Sequence, residues 1–364
     1  MMKLNIQLYI LIFLGLVIIT CCNQPVKKAS LNIRPLADTV GFAQHDWQMD
    51  SIMARIERMV AQNPELEAHY EGTPKVVISP HDDYAYVGNL YPAALANIRA
   101  TTIILFGVAH KARLLNLQDQ VVFDSYEHWK GPYGPVKVSN IREDIIREMP
   151  HQIFQINDSM QRMEHSVEAI IPFLQYYNRD VEIISILVPY MSFDKMNEIA
   201  EPLAKAIKKA TLDKGLEWGK DFAFVISTDA VHYGDQDWGE SNFAFYGTDS
   251  AGYAQAIAHE NEIMDTLSGK LNPRKVAAFS NFTVDENDYK KYKWTWCGRY
   301  SVPLGLLTAY DLNELSGNEP LTGIQIGYAN SIDHTTLKVK DLHMGLTAPA
   351  NMHHWVGYAA IGYR

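Results

Sequence analysis

The sequence contains few cysteines, and their positions limit what they can do. Only three occur among 364 residues, namely Cys21, Cys22 and Cys297. If one of the adjacent pair carries a lipid, almost nothing is left to form disulfides, so we expect no disulfide framework. Cys297 is then a lone thiol, which is either a buried, inert side chain or a metal ligand or nucleophile.

Clustered basic residues are also missing. The chain carries 32 Lys and Arg against 42 Asp and Glu, a formal net charge of −10. Without a Lys/Arg-rich block there is no electrostatic footprint for nucleic acid, so we expect no such partner. Repeats, low-complexity tracts and Gly/Ser linkers are absent after about residue 46. The composition, 47% hydrophobic and 20% charged, is ordinary for a globular protein, and we predict one domain.

The N-terminus has the pattern of an export signal. A short basic start leads into an apolar run, which ends at Thr-Cys-Cys-Asn in residues 20–23. We interpret residues 1–22 as a lipoprotein-type signal in which Cys21 or Cys22 is lipidated. The alternatives are a plain signal peptide or an uncleaved anchor. We expect residues 23–45 to form a tether, residues 46–364 to form the domain, and the protein to be lipid-anchored in a bacterial cell envelope.

The rest of the chain alternates between strand-like and helix-like patterns. Strands are predicted at 75–79, 101–106, 182–188, 222–227, 323–328, 336–341 and 355–362. Helices are predicted at about 47–62, 91–99, 141–149, 165–176, 192–210, 251–267 and 303–315. This alternation predicts an α/β fold with a central mixed sheet and helices on both faces. The last three strands lack intervening helices, so that end of the sheet is expected to be antiparallel or mixed.

Residues that can bind metals or transfer protons follow three of these strands. His81 comes directly after the first strand, His110 after the second, and Asp229 and His232 after the fourth. The carboxyl ends of strands in an open α/β sheet share the edge where ligands bind, so these side chains can meet in one pocket. Taken singly, each histidine could instead be a structural hydrogen-bonding group. Asp229 could equally be a helix N-cap.

Further candidates lie in loops and at helix starts. Cys297 precedes a predicted helix, where a thiolate has a lowered pKa. Two histidines with a cysteine suit iron, copper or zinc, whereas two histidines with a carboxylate suggest non-haem iron. We expect His343, His353 and His354 to lie on a surface loop, and Tyr86 to line the cleft wall with Tyr84. The other pocket candidates are Asp82, Asp83, Tyr84, Glu164, His165 and Arg299.

These motifs, in this order, resemble the Memo family, also called AmmeMemoRadiSam system protein B. The family's Pro-His-Ala-Gly-Tyr turn corresponds to residues 80–84, and its Gly-Pro-Ser-His-His turn to residues 107–111. Its Glu-His-Ser helix start corresponds to residues 164–168, its Ser-Ser-Asp-x-x-His segment to residues 227–234, and its Cys-Gly-Arg element to residues 297–299. The resemblance covers about residues 34–364.

The resemblance implies a fold similar to extradiol dioxygenases of the protocatechuate type. It also implies one iron or copper ion held by His81, His110 and Cys297. His232, beside Asp229, takes the place of the acid–base histidine of those dioxygenases. Two departures stand out: Lys111 replaces the family's second histidine, and Asp82-Asp83 replaces its Ala-Gly, which could change substrate preference or add a ligand.

Three functional hypotheses follow. The first is a metal-dependent, oxygen-using or redox protein that acts on a small molecule that the sequence does not identify. The second is a metal-binding or metal-carrier module without turnover. The third is a metal-free hydrolase or lyase that uses Cys297 as nucleophile and His232 as base.

Overall fold

The order of strands and helices follows the alternation expected from the sequence. The computed structural model describes residues 31–67 and 70–364, so the predicted signal and the cysteines at 21 and 22 lie outside the described residues. The described strands are β1 Ile33–Arg34, β2 Val76–Ser79, β3 Thr102–Val108, β4 Val121–Phe123, β5 His128–Gly131, β6 Gly134–Val138, β7 Phe154–Ile156, β8 Glu182–Val188, β9 Phe222–Ser227, β10 His232–Gly234, β11 Gly269–Lys270, β12 Thr322–Asn330 and β13 His354–Tyr363.

The α-helices of the described ranges lie between these strands. They are α1 Asp46–Gln62, α2 Tyr84–Val87, α3 Leu90–Leu95, α4 Ile141–Glu148, α5 Asp158–Met163, α6 Ile171–Tyr177, α7 Phe193–Leu212, α8 Ser250–Leu267, α9 Pro273–Thr283 and α10 Ser301–Ser316. Among them, none combines the length and the apolarity that crossing a bilayer requires.

One mixed sheet organises the domain. Its main path is β1-β5-β6-β8-β3-β9-β2-β13-β12-β11, with β4, β7 and β10 paired alongside. The central strands β8, β3, β9 and β2 run parallel, whereas β13 and β12 join antiparallel to β2 and to each other. The mixed character and the antiparallel end are therefore confirmed.

Helices cover both faces because the central strands are apolar on both sides. Val76 and Ile78 of β2 belong to a core shared with α7 and α10, while Val77 between them belongs to the opposite core with α1 and α3. Successive residues of a strand point to opposite faces, so a continuous apolar run supplies two cores. The predicted α/β class with helices on both faces is confirmed.

Two predicted elements differ from the structure, each for a physical reason. The strand expected at 336–341 is an irregular segment ending in a 3₁₀ turn at Lys340–Leu342. Its alternation arises because Leu337 and Val339 are buried against neighbouring helices rather than paired in the sheet. The helix expected from residue 165 begins at Ile171, which places Pro172 in its first turn, where proline is tolerated.

The compact unit begins at Ile33 rather than at residue 46. Part of the predicted tether is therefore packed on the domain. Arg34 holds this part of the chain through several buried contacts. Its guanidinium is 1% exposed, forms an ion pair with Glu168 and donates two further hydrogen bonds, of 3.0 and 2.9 Å, to the carbonyl of Gln161. It also lies over the ring of Trp129, 4.3 Å from the centroid.

Replacing Arg34 with Met should destabilise the domain strongly. The change leaves the Glu168 carboxylate buried without its cation, which typically costs about 3–5 kcal/mol. Urea unfolding followed by circular dichroism measures the free energy of unfolding. Lys205→Met is the matched control, because Lys205 and Glu201 are 57% and 59% exposed and such pairs contribute at most about 1 kcal/mol. Equal losses in the two variants would contradict the anchoring role of Arg34.

Candidate metal centre

Three neighbouring parallel strands each carry a candidate residue two positions beyond their last residue. His81 follows β2, His110 follows β3 and Asp229 follows β9. The sheet order is β3-β9-β2, and the register pairs Ser79 with Ser227 across the last two strands. The three residues therefore leave the sheet at one edge, as the sequence predicts.

Cys297 reaches the same edge from a separate segment. Residues 231 and 296 form an antiparallel bridge, and the backbone N–H of Asp229 donates to the Cys297 sulfur at 3.1 Å. Gly298 permits this approach, because a Cβ there would lie 2.2 Å from the Thr228 hydroxyl oxygen. The backbone N–H of Gly298 instead donates to that hydroxyl at 3.0 Å.

The resulting cluster offers donor atoms suited to a metal ion. One atom each from His81, His110 and Cys297 lie within 4.8 Å of one another. The Cys297 sulfur is 3.5 Å from Nε2 of His81. Two overlapping groups share these residues: His110 with Glu164 and His165, and Cys297 with Asp229 and His232. The structure thus brings together the residues that the sequence motifs single out.

Hydrogen bonds fix which nitrogen each histidine presents. The Ser227 hydroxyl donates to the carbonyl of Ser166 at 2.7 Å, so it must accept the 2.7 Å bond from Nδ1 of His81. Nδ1 of His110 lies 2.8 Å from a carboxylate oxygen of Glu164, which can only accept when ionised. Both rings therefore carry a proton on Nδ1, which leaves Nε2 as the nitrogen that can bind a metal, the arrangement typical of metal-bound histidine.

Burial sets the charge of the donors. It lowers the pKa of His81 well below its ordinary value, so this imidazole is neutral, as a metal ligand must be. Burial alone would raise the pKa of Glu164, but His110, His165 and the backbone N–H of Ser166 together outweigh it and lower the pKa of the carboxyl. Burial and the nearby Asp229 raise the pKa of the Cys297 thiol. The expected low thiol pKa is therefore wrong, since α10 begins only at Ser301.

Asp229 and His232 have distinct surroundings. A carboxylate oxygen of Asp229 accepts the backbone N–H of His81 at 2.9 Å, so this residue braces His81. It is not a helix N-cap, because a strand follows it at His232–Gly234. Burial and the charge of Asp82 raise the Asp229 pKa well above its usual range. Burial lowers the pKa of His232 to about 3, so this imidazole is neutral.

Three other sequence candidates lie near the cluster but outside its donor groups. The Asp82 carboxylate accepts the Tyr358 hydroxyl at 2.7 Å, and the Asp83 carboxylate accepts the backbone N–H of Thr347 at 2.6 Å. Arg299 is buried and stacks on tyrosine rings.

The two tyrosine candidates are buried, whereas His165 is partly exposed. Tyr84 is fully buried and donates to the carbonyl of Ala169 at 2.6 Å, so it packs in the core. Tyr86 is also buried, with its hydroxyl on a backbone carbonyl. His165 stacks on His110 with ring centroids 4.8 Å apart, at the more open side of the cluster.

One expected surface residue is buried. His354, grouped with His343 and His353 as a surface loop, is the first residue of β13 and only 3% exposed. Its ring stacks on Trp238 with centroids 3.8 Å apart. The error lies in the predicted start of the strand, which falls one residue too late and leaves His354 in the loop.

Sequence reasoning also missed a buried carboxylate that braces the site. Glu260 of α8 has no exposed surface, and its carboxylate accepts the indole N–H groups of Trp294 and Trp296 at 2.6 and 2.8 Å. It also accepts the backbone N–H of Val231 at 3.2 Å. These donors belong to the two segments that carry His232 and Cys297. Glutamate on an amphipathic helix normally faces water, so the sequence gives no signal of this role.

The domain is thus an α/β protein with a buried two-histidine, one-cysteine donor cluster at the carboxyl ends of parallel strands. The chain belongs to the Memo-like protein family, whose model matches residues 44–340. The resemblance drawn from the motifs is therefore confirmed.

Curated relatives carry the same family name. A MEMO1 family protein of Methanococcoides burtonii is 28% identical over 45% of this chain and 57% of its own length. Its counterpart in Pyrococcus furiosus is 25% identical over 63% of this chain and 73% of its own length. That of Aquifex aeolicus is 24% identical, with 72% and 80% covered. The alignments span little more than half the length of the methanogen relatives, 57% and 54% in two cases.

Glu260 should make stability depend on pH in a defined window. Burial raises its pKa from 4.5 to about 6 in the folded protein. A raised folded pKa contributes stability that is complete below pH 4.5 and is lost as the pH rises through 6. The difference between these two pKa values corresponds to about 2 kcal/mol in the free energy of unfolding.

The measurement is the free energy of unfolding of the parent and of Glu260→Gln between pH 4 and pH 7. We expect the parent's advantage over the variant to shrink by about 2 kcal/mol across the window. Glu262→Gln, an exposed site on the same helix, is the control. A parent–variant difference that stays constant with pH would contradict the assignment.

Proposed function

We propose that this domain binds one iron or copper ion through His81, His110 and Cys297 and supports redox or oxygen-dependent chemistry on a small molecule. The observation that supports it is the pair of imidazoles held through Nδ1, with one donor atom from each and the buried thiol all within 4.8 Å. Two imidazoles and a sulfur suit iron or copper. Metal binding would displace the thiol proton, which the raised Cys297 pKa otherwise retains.

The bound ion would supply one-electron chemistry that protein side chains lack. The surrounding residues have roles of their own. Glu164 and Ser227 hold the two imidazoles in the required tautomer and orientation. His232 is neutral and lies beside Cys297 and Asp229, where its imidazole can accept a hydrogen bond from a substrate and help to orient it. His81 and Cys297 are buried, whereas His110 is partly exposed and gives the cluster an open side.

The same geometry weakens the alternative in which Cys297 acts as a metal-free nucleophile. Only the thiolate attacks, and burial together with Asp229 holds the Cys297 pKa well above its ordinary value. A nearby base would have to remove the proton, yet the His232 pKa of about 3 makes that imidazole a weak base. A metal carrier would use the same donor cluster but would not convert a substrate.

Metal content tests the proposal directly. The soluble domain, from about Val26, is purified without oxygen and without affinity-metal resin, and its metals are quantified. We expect near-stoichiometric iron or copper in the parent and little in His110→Ala. His151→Ala, an exposed histidine remote from the cluster, should retain the metal. Glu164→Gln should weaken binding about 10- to 100-fold because it releases the His110 ring.

Unchanged metal in His110→Ala would refute the donor assignment. Metal in the parent without oxygen uptake in the presence of any reductant would favour the carrier role. Metal absent from the parent even after reconstitution would refute the proposed function as a whole.

We propose further that the domain is held at a bacterial cell envelope by a lipid on Cys21 or Cys22. The support is the apolar run that ends at these cysteines. The parent should partition with membranes and incorporate labelled palmitate. A variant with both cysteines replaced by Ser should do neither, while Cys297→Ser should behave as the parent. Palmitate in the double variant would refute the anchor.

A further inference from the structure

A face of three rings lies beside the donor cluster. The strand register pairs His232 with Val356 and Gly234 with His354, so residues 232 and 354 lie on the same side of the β10–β13 pair. Trp238, in the loop after β10, stacks on His354 at 3.8 Å and 9° between planes. The centroids of Trp238 and His232 are 5.3 Å apart. We call His232, Trp238 and His354 the ring face.

Each ring of this face holds an unused polar atom. Within the part of the chain that the structure describes, Nε2 of His232, Nε1 of Trp238 and Nε2 of His354 are buried without a hydrogen-bond partner. An unpaired buried polar group typically costs about 1–3 kcal/mol. Native structures pair nearly all such groups, so several together next to a reactive site indicate a ligand that supplies the missing partners.

Two of these atoms can be assigned as a hydrogen-bond donor or acceptor. Nδ1 of His354 lies 2.9 Å from the carbonyl of Gln236, which can only accept, so Nδ1 carries the proton. In the uncharged ring, Nε2 of His354 is then an acceptor. The indole Nε1 of Trp238 is a donor and nothing else. The ring face therefore requires a group that donates and accepts at once.

The ring face lies next to the donor cluster. A ring nitrogen of His232 lies within 4.8 Å of the Cys297 sulfur and an Asp229 carboxylate oxygen. His354 also lies near His232 and Asp82. A ligand on the ring face would thus lie beside the donor cluster.

We propose that the ring face binds a hydroxyl group of the substrate, which donates to Nε2 of His354 and accepts from Nε1 of Trp238. His354 is then a substrate-positioning residue, an inference that rests on the proposed function. A carboxylate could only accept and an ammonium could only donate, so each would leave one of these two atoms unpaired. A hydroxyl is the smallest group that satisfies both, and the flat rings suit an apolar body attached to it.

The test compares two probes of similar shape, benzyl alcohol and ethylbenzene, which differ in the hydroxyl. Each is titrated by NMR into metal-free domain labelled with ¹⁵N-histidine. We expect benzyl alcohol to bind more tightly than ethylbenzene and to shift the Nε2 resonance of His354. Losing the hydroxyl's partner should weaken benzyl alcohol binding about tenfold in His354→Phe, with ethylbenzene binding unchanged.

Two further variants make the result specific. His353→Ala removes an adjacent imidazole that is 45% exposed and paired with Asp235, and it should bind benzyl alcohol as the parent does. His354→Asn shortens the side chain, removes the Nε2 acceptor and keeps an N–H for the Gln236 carbonyl, so it replaces the Phe variant if that one fails to fold. Equal affinities for both probes, or equal losses in the 353 and 354 variants, would overturn the proposal.

Metal analysis of the same proteins separates this inference from the proposed function. His354→Phe should keep the parent's metal content, since His354 is outside the donor cluster. A parent without metal would refute the proposed function, whereas the probe titration is carried out on metal-free protein and decides the ring face by itself. A crystal structure with a fixed water on these nitrogens that benzyl alcohol does not displace would also overturn the inference.

Discussion

The candidate centre depends on one short segment, residues 164–168, to which both imidazoles are tied. Glu164 accepts the His110 ring N–H at 2.8 Å. The carbonyl of Ser166 accepts the Ser227 hydroxyl at 2.7 Å, and that hydroxyl holds His81. Glu168 pairs with Arg34, which also donates to the carbonyls of residues 161 and 164. The N-terminal strand, the histidines and the sheet edge therefore share one support, and a shift of this segment would move both rings together.

Charge distribution is the second constraint. Asp82, Asp229 and Cys297 lie at or beside the cluster, and burial raises the pKa of each. Burial lowers the pKa of His81 and His232. Raised pKa values of the acids and lowered pKa values of these imidazoles both reflect the cost of isolated buried charges. Glu164 is the exception, because His110, His165 and the backbone N–H of Ser166 together lower its pKa.

Much of this arrangement could be predicted from the sequence, because long apolar strands and the residues that follow them are local patterns. His81, His110 and Asp229 were found in that way, and Cys297 through a motif. The supporting residues could not be found, since Ser227 and Glu260 act through partners distant in sequence.

The errors have the same origin. The segment at 336–341 alternates like a strand because it is half-buried, although it has no place in the sheet. His354 reads as a loop residue until its pairing with Gly234 is known. Tertiary contacts decide both cases, and alternation alone cannot distinguish a paired strand from a packed coil.

The two aspartates that replace the family's Ala-Gly turn now have a structural explanation. Asp83 lies beside Gly41, where a Cβ would be 1.9 Å from the carboxylate oxygen, so glycine at 41 makes room for it. The same carboxylate accepts the backbone N–H of Thr347 and joins three distant segments.

Asp82 is held by the Tyr358 hydroxyl of β13. Both side chains are thus committed to protein partners, which argues against their serving as extra metal ligands. Their effect on the site is electrostatic instead, because the charge of Asp82 contributes to the raised pKa of Asp229. In this chain the two aspartates therefore bind protein partners, and Asp82 adds to the effect of burial in raising the pKa of the residue that braces His81.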